Sequence, residues 1–280
     1  MTDAMIVSLR IRSWGATRTD REVGEEVARS KNAHDDAGRY VKNLVDKSAL
    51  KGVRIAVQNL RDRHRSLTRV WDDDGRRLVP LSILPQYQDE IETLKGDFDN
   101  AVSEFVKEYE GLQEYARMTL GEMFNEQDYP SVSQIADRFS VDLDFEPVPD
   151  GKHAPSGYEE QVNKAVARRM KESNDALFHR IVGTLREVKR KLEAHHEREK
   201  DGDKRGRFRL TLIDEVREIY DLLPALNIED DPFLDGIRER LYSDLSWDAE
   251  ELRDEAGIRT VNIINAEDII NDIEQEWEKL

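Results

Sequence analysis

The chain has 280 residues, 60 acidic against 43 basic side chains and a net charge of −17; 38% of its residues are hydrophobic and 37% charged. That length supports a real core, and the mix suits long amphipathic helices whose exposed faces carry charge. With no cysteine, disulfides, zinc–cysteine sites, iron–sulfur clusters and cysteine nucleophiles are excluded.

Taken in chain order, "VSLRIR" at 7–12 alternates apolar and polar side chains as a half-buried strand does. Thr19 with Glu22 reads as a capping box for a short helix weakened by Gly24. A further helical turn or two is expected around Tyr40, Val41, Leu44 and Val45. Ser48 is expected to cap a stronger helix with Leu50, Val53, Val57 and Leu60 on its apolar face and Arg54, Arg61, Arg63 and Arg65 opposite. "WDDDGRRLVP" breaks it with an Asp-Gly turn and Pro80.

Leu84–Pro85 opens a long helix. The spacing of Tyr87, Ile91, Leu94, Phe98, Ala101, Phe105, Tyr109 and Leu112 is a near-heptad stripe over about 84–116. "VDLDFEPVP" then sets Val141, Leu143 and Phe145 against Asp142, Asp144 and Glu146. Its acidic row complements Arg10 and Arg12, which predicts a two-stranded antiparallel ribbon of 5–12 with 140–148 under the 84–116 helix. The Pro/Gly-rich stretch 147–157 gives the domain division: an N-terminal α+β domain over 1–149, a linker at 150–157 and a helical domain over 158–280.

From 158 to 200 a stripe of Val162, Val166, Met170, Leu177, Ile181, Leu185, Val188 and Leu192 predicts a second long helix, on the order of 60 Å. A seam that long is expected to pack against another chain or against the 84–116 helix. Shorter acidic helices follow. One runs from Thr211 to Pro224. Another starts at Asp231–Pro232 with Leu234, Ile237 and Leu241 inside. The last starts at Asn265 and carries Ile269, Ile270, Ile273, Trp277 and Leu280. The fold class is therefore mainly α with a minimal β element and a helical C-terminal region.

Two basic stretches are the candidate sites, and phosphate is their natural ligand. The first is the arginine face of 54–69. The second, 186–209, carries Lys189, Arg190, Lys191, Lys204, Arg205, Arg207 and Arg209, with Phe208 as a stacking platform. Interspersed acids such as Glu187, Glu193 and Glu197 equally describe a solvated face with i,i+4 pairs. The overall acid excess opposes unassisted binding to DNA and also fits a salty host or a DNA-mimicking surface. His195–His196 lacks metal-ligand spacing, and Asp72–Asp74 before Gly75 reads as a turn rather than a hard-cation site. Neither a nucleophile elbow, a phosphate-binding glycine loop nor a GxGxxG after a strand is found, so no catalytic residue, cofactor or metal is assigned. With no apolar run near roughly 18 residues and no signal-peptide pattern, no membrane partner and a cytoplasmic location are expected.

"VSLRIRSWGA", an arginine-rich helix, "LVP" ahead of "FDNAVSEFVKEY", and "DYPSVSQIADRFSVDLDFEPVP" together resemble an uncharacterised phage and prophage family over about residues 5–149. Members of that family are commonly encoded beside MoxR-type AAA+ ATPases and von Willebrand A-domain proteins. The resemblance implies a non-enzymatic component, an adaptor for an AAA+ ATPase, working in the cytoplasm of the phage host. The expectation is an interaction or scaffold protein that self-associates as a homo-oligomer. The alternative is a nucleic-acid-binding protein, for strand annealing or DNA-end protection, using 54–69 and 186–209.

Overall fold

The computed structural model describes residues 3–200, 211–245 and 248–277. The chain is mainly α with a minor β component. Its contacts fall into two compact units, each assembled from separated segments: 1–8, 65–87 and 144–280 form the first, 9–64 and 88–143 the second. The chain passes between them along β1 (Ala4–Arg12), the end of α2 (Lys51–Ser66), the first turn of α3 (Leu84–Leu120) and β6 (Ser140–Pro147).

The expected two-stranded ribbon is larger. Among the described residues the strands order as β4-β5-β1-β6, with β4 at Arg69–Val70 and β5 at Arg77–Pro80. β1 does neighbour β6, but its other edge pairs antiparallel with β5, Ala4 opposite Pro80 and Val7 opposite Arg77. The segment read as a helix breaker is thus a hairpin. Asp72 Oδ1 accepts from the backbone N–H groups of Asp74 and Arg76, and Gly75 takes the left-handed φ of 87° that the turn requires.

In the first unit, Ala4, Ile6, Leu78 and Trp71 of this sheet region pack against Met170 of α5 (Glu159–Lys200). Tyr87, in the first turn of α3, sets its ring edge-on to Phe145 of β6 at 6.2 Å. α5 carries the stripe the sequence predicts, and Leu177, Ile181, Leu185 and Leu192 are all buried. Its cover comes from helices of the same chain. α6 (Thr211–Leu226) and α9 (Ala256–Trp277) lie on it, with Ile269, Ile270 and Ile273 buried, and α7 (Pro232–Ser243) packs on α6 and α9. Each such side chain stabilises the fold by about 1.5–3 kcal/mol. The seam therefore gives no reason for a second copy of the chain.

Several boundaries differ from expectation. α6 runs through Pro224 to Leu226. Proline cannot donate to the carbonyl four residues back, and Arg238 Nε takes over by donating to Tyr220 O at 3.3 Å. α9 starts at Ala256 after a short α8 (Ala249–Asp254), so Asn265 is mid-helix, its amide turned to Asp244 O. Asp231 caps α7 as read, accepting from Phe233 N at 2.9 Å. Trp247 and Leu280 lie outside the described residues. The stretch 150–157 falls inside the first unit. There Gly151 N donates to Asn163 Oδ1 at 3.0 Å, and a Cβ at Gly151 would meet Asn163 and Glu159 O at 2.6 Å.

The hairpin is pinned to the helices by Arg69, buried on β4. Its Nε donates to Ser173 Oγ at 3.0 Å, Nη1 to Leu226 O at 3.1 Å and Nη2 to Asn174 Oδ1 at 2.7 Å. Burial pushes its pKa down to about 10, with Glu229 at 3.8 Å opposing, so it stays charged at neutral pH.

The second unit is built on α2 and the body of α3. Trp14, Phe105, Tyr109 and Phe139 interlock with centroids 5.7–5.9 Å apart. Residues 40–43, expected as helix, are instead β3 (Tyr40–Asn43), antiparallel to β2 (Thr17–Asp20). Between them lies α1 (Arg21–Ser30), capped by Asp20 rather than Thr19. Lys42 is buried at the end of that ribbon. Its Nζ lies 3.0 Å from Asp20, 3.0 Å from Asp128 and 2.6 Å from Met123 O.

Two outcomes follow from these clusters. Arg69→Met strands the groups it satisfied and is expected to cost about 3–5 kcal/mol in urea unfolding. The hydrogen bond from Lys42, and then that from Val23 N, holds the Asp20 carboxyl below its ordinary range. Its contribution is present above the unfolded carboxylate pKa of about 3.9 and is lost as pH falls through the lower folded value. Unfolding followed by circular dichroism during acid titration should accordingly show a shallower acid limb for Asp20→Asn than for the wild type.

Candidate functional site

The two basic stretches of the sequence meet different fates. On α5, cations are matched to carboxylates. Arg186 pairs with Glu274, and Lys189 with Glu267 and Glu193. Arg190 grips Glu187 through two hydrogen bonds of 2.8 and 2.7 Å, and Lys191 approaches the same carboxylate at 3.2 Å. The Arg190 hydrogen bond, with Lys191 adding to it, holds the Glu187 carboxyl down at about 2. A face whose cations each have an acid neighbour offers phosphates little uncompensated charge. His195 Nε2 lies 3.2 Å from Arg253 O. Lys204, Arg205, Arg207, Phe208 and Arg209 lie outside the described residues.

α2 is different. Its apolar positions Leu50, Val53, Val57 and Leu60 are buried as the period demands, which turns the arginines outward. Arg63 leaves the candidate set by pairing with Glu90, Nη2 to Oε1 at 2.9 Å. The carbonyl of Arg65, at the first unit's boundary, accepts from Arg77 and Arg180. Arg54 and Arg61, seven residues apart and so on one face, line a common groove of about 290 Å³ with Gln58 between them. The opposite wall is Ser13, Trp14 and Gly15, immediately after β1. Arg54 Nη1 donates to Lys47 O at 2.9 Å. The carboxylate nearest in sequence, Asp62, accepts both hydrogen bonds of the Gln58 amide, at 2.7 and 2.8 Å. Among the described residues Arg61 has no hydrogen-bond or ion-pair partner.

Two polar clusters escape sequence reading, Arg69 in the first unit and Lys42 in the second. Neither is open to a ligand, because their donors are already placed on protein acceptors. Their partners sit up to about 157 positions away, so no local spacing announces them. The remaining signal in the sequence is a lysine inside the apolar run "YVKNLV".

Among the described residues, no group of three or more His, Asp or Glu is arranged to hold a metal ion, and no helix is long and apolar enough to cross a membrane. No family model, curated protein or solved structure matches the chain.

Arg61→Gln should change stability by no more than about 0.5 kcal/mol. Arg63→Gln, which breaks a half-buried ion pair, should cost up to about 1 kcal/mol. Parallel urea titrations of the two variants check this separation.

Proposed function

We propose that this chain is a non-enzymatic interaction protein of phage type, acting in the cytoplasm of the host as an adaptor for an AAA+ ATPase. The observation that carries this reading is an exposed apolar pair on α3. Tyr115 and Met118, 53% and 75% accessible, lie three residues apart and so side by side on one helix face. Glu114 and Glu122 flank them and are also exposed. Tyr115 borders a cavity of about 330 Å³ whose lining also includes Leu44, Val45 and Ala116. A large aromatic and a pliable methionine beside a recess, with charged residues of both signs around them, have the composition of a docking anchor. The likeness of residues 5–149 to proteins encoded beside MoxR-type ATPases supplies the class of partner.

A second reading, nucleic-acid binding, is favoured by the Arg54/Arg61 groove. The described part of the 186–209 face does not add to it, since its cations are matched by acids.

Pull-down with an immobilised MoxR-type AAA+ ATPase tests the leading reading. The wild-type chain should be retained at micromolar concentration, and the double variant Tyr115→Ser, Met118→Ser should elute in the void while keeping wild-type unfolding behaviour. Failure of the wild type to bind, or equal retention of the double variant, contradicts it.

A further inference from the structure

The groove on α2 has three properties that together select a ligand. It holds uncompensated positive charge in a chain of net charge −17. On α5 the basic groups Arg186, Lys189, Arg190 and Lys191 each reach an acid. Arg61 does not, and Asp62 beside it is engaged by Gln58. Arg54, which donates Nη1 to Lys47 O, lines the same groove and has no carboxylate partner among the described residues. Arginine forks are matched in geometry to phosphate oxygens.

The second property is an aromatic wall. Trp14 is half-buried, held from behind by Phe105 and Tyr109 at 5.9 and 5.7 Å, and contributes to the groove lining. A partly exposed indole braced by aromatic neighbours can serve as a stacking platform, worth about 1–3 kcal/mol per base. The third is size. About 290 Å³ is at the small end for a ligand site and suits nothing larger than one nucleotide unit, and a duplex cannot offer an unstacked base face to such a groove.

We propose that this groove seats one nucleoside phosphate, the base against Trp14 and the phosphate on Arg61 with Arg54 assisting. The assignment rests on the second, nucleic-acid reading and names the chemistry of its site. The ligand is either a free mononucleotide or one nucleotide unit of a single strand, since both present the same groups.

The test uses the full chain and its Arg54→Gln and Arg61→Gln variants, in isothermal titration against AMP and fluorescence anisotropy with a fluorescein-labelled oligothymidylate. The proposal expects saturable binding of at least one probe. Each substitution should weaken it several-fold and lower the salt slope by about one unit. AMP binding alone identifies a free nucleotide as ligand; oligothymidylate binding with weaker AMP binding identifies a single strand. Competition by inorganic phosphate as effective as that by AMP overturns the base contact and with it the proposal. Oligothymidylate binding that is indifferent to both substitutions overturns the groove while leaving the nucleic-acid reading standing. No binding of either probe at low salt overturns both.

Discussion

Keeping water away from one side of α5 is the constraint from which the first unit follows. Forty-two residues in one helix present a continuous apolar seam, and a lone amphipathic helix of that kind is not stable with its seam wet. The acidic C-terminal helices supply the cover. α6 and α9 bury the seam, and α7 packs on both. The same demand explains why α6 tolerates Pro224. Ending the helix there would leave Leu226 out of the core and remove the carbonyl that Arg69 uses. Arg69 in turn fixes the small hairpin onto α5, so a two-residue strand survives that would be marginal by itself.

Charge is arranged by the same economy of burial. Two enclosed cations, Arg69 and Lys42, are each held by several protein acceptors. Where cations line a packed helix, acids from α9 or from the next turn meet them, as Glu267 meets Lys189 and Glu187 meets Arg190. Net charge alone thus says little about where an anion could bind. The informative residue is Arg61, exposed in an acidic chain yet matched with no carboxylate among the described residues. Tyr115 and Met118 are its apolar counterpart, exposed where burial is the norm for their types.

Much of the helical architecture was legible because it is written in long-period hydrophobicity. The stripes of α3 and α5 and the cap of α7 at Asp231 each rest on many residues or on one strong local signal. The failures share a cause. In β3 the enclosed residue is Lys42 and the exposed one is Val41, so the polarity pattern is inverted and resembles a helical face. In β4 the enclosed residue is Arg69. Both inversions depend on partners distant in sequence, Asp128 for one and Ser173 for the other. The expectation that α5 packs against another chain or the 84–116 helix left out how much apolar surface lies in the acidic tail, where Ile269, Ile270 and Ile273 sit between charges. Of the candidate site, sequence identified Arg54 and Arg61. It could not separate them from Arg63, which is spent on Glu90, nor could it place Trp14 opposite them.

The central claim is that the α5 seam is closed from within one chain, and the dependence of unfolding on protein concentration addresses it directly. If the C-terminal helices complete the core, the urea midpoint stays constant across about a hundredfold range of protein concentration. A midpoint that climbs steadily with concentration would mean that another copy closes the seam, and would contradict the account.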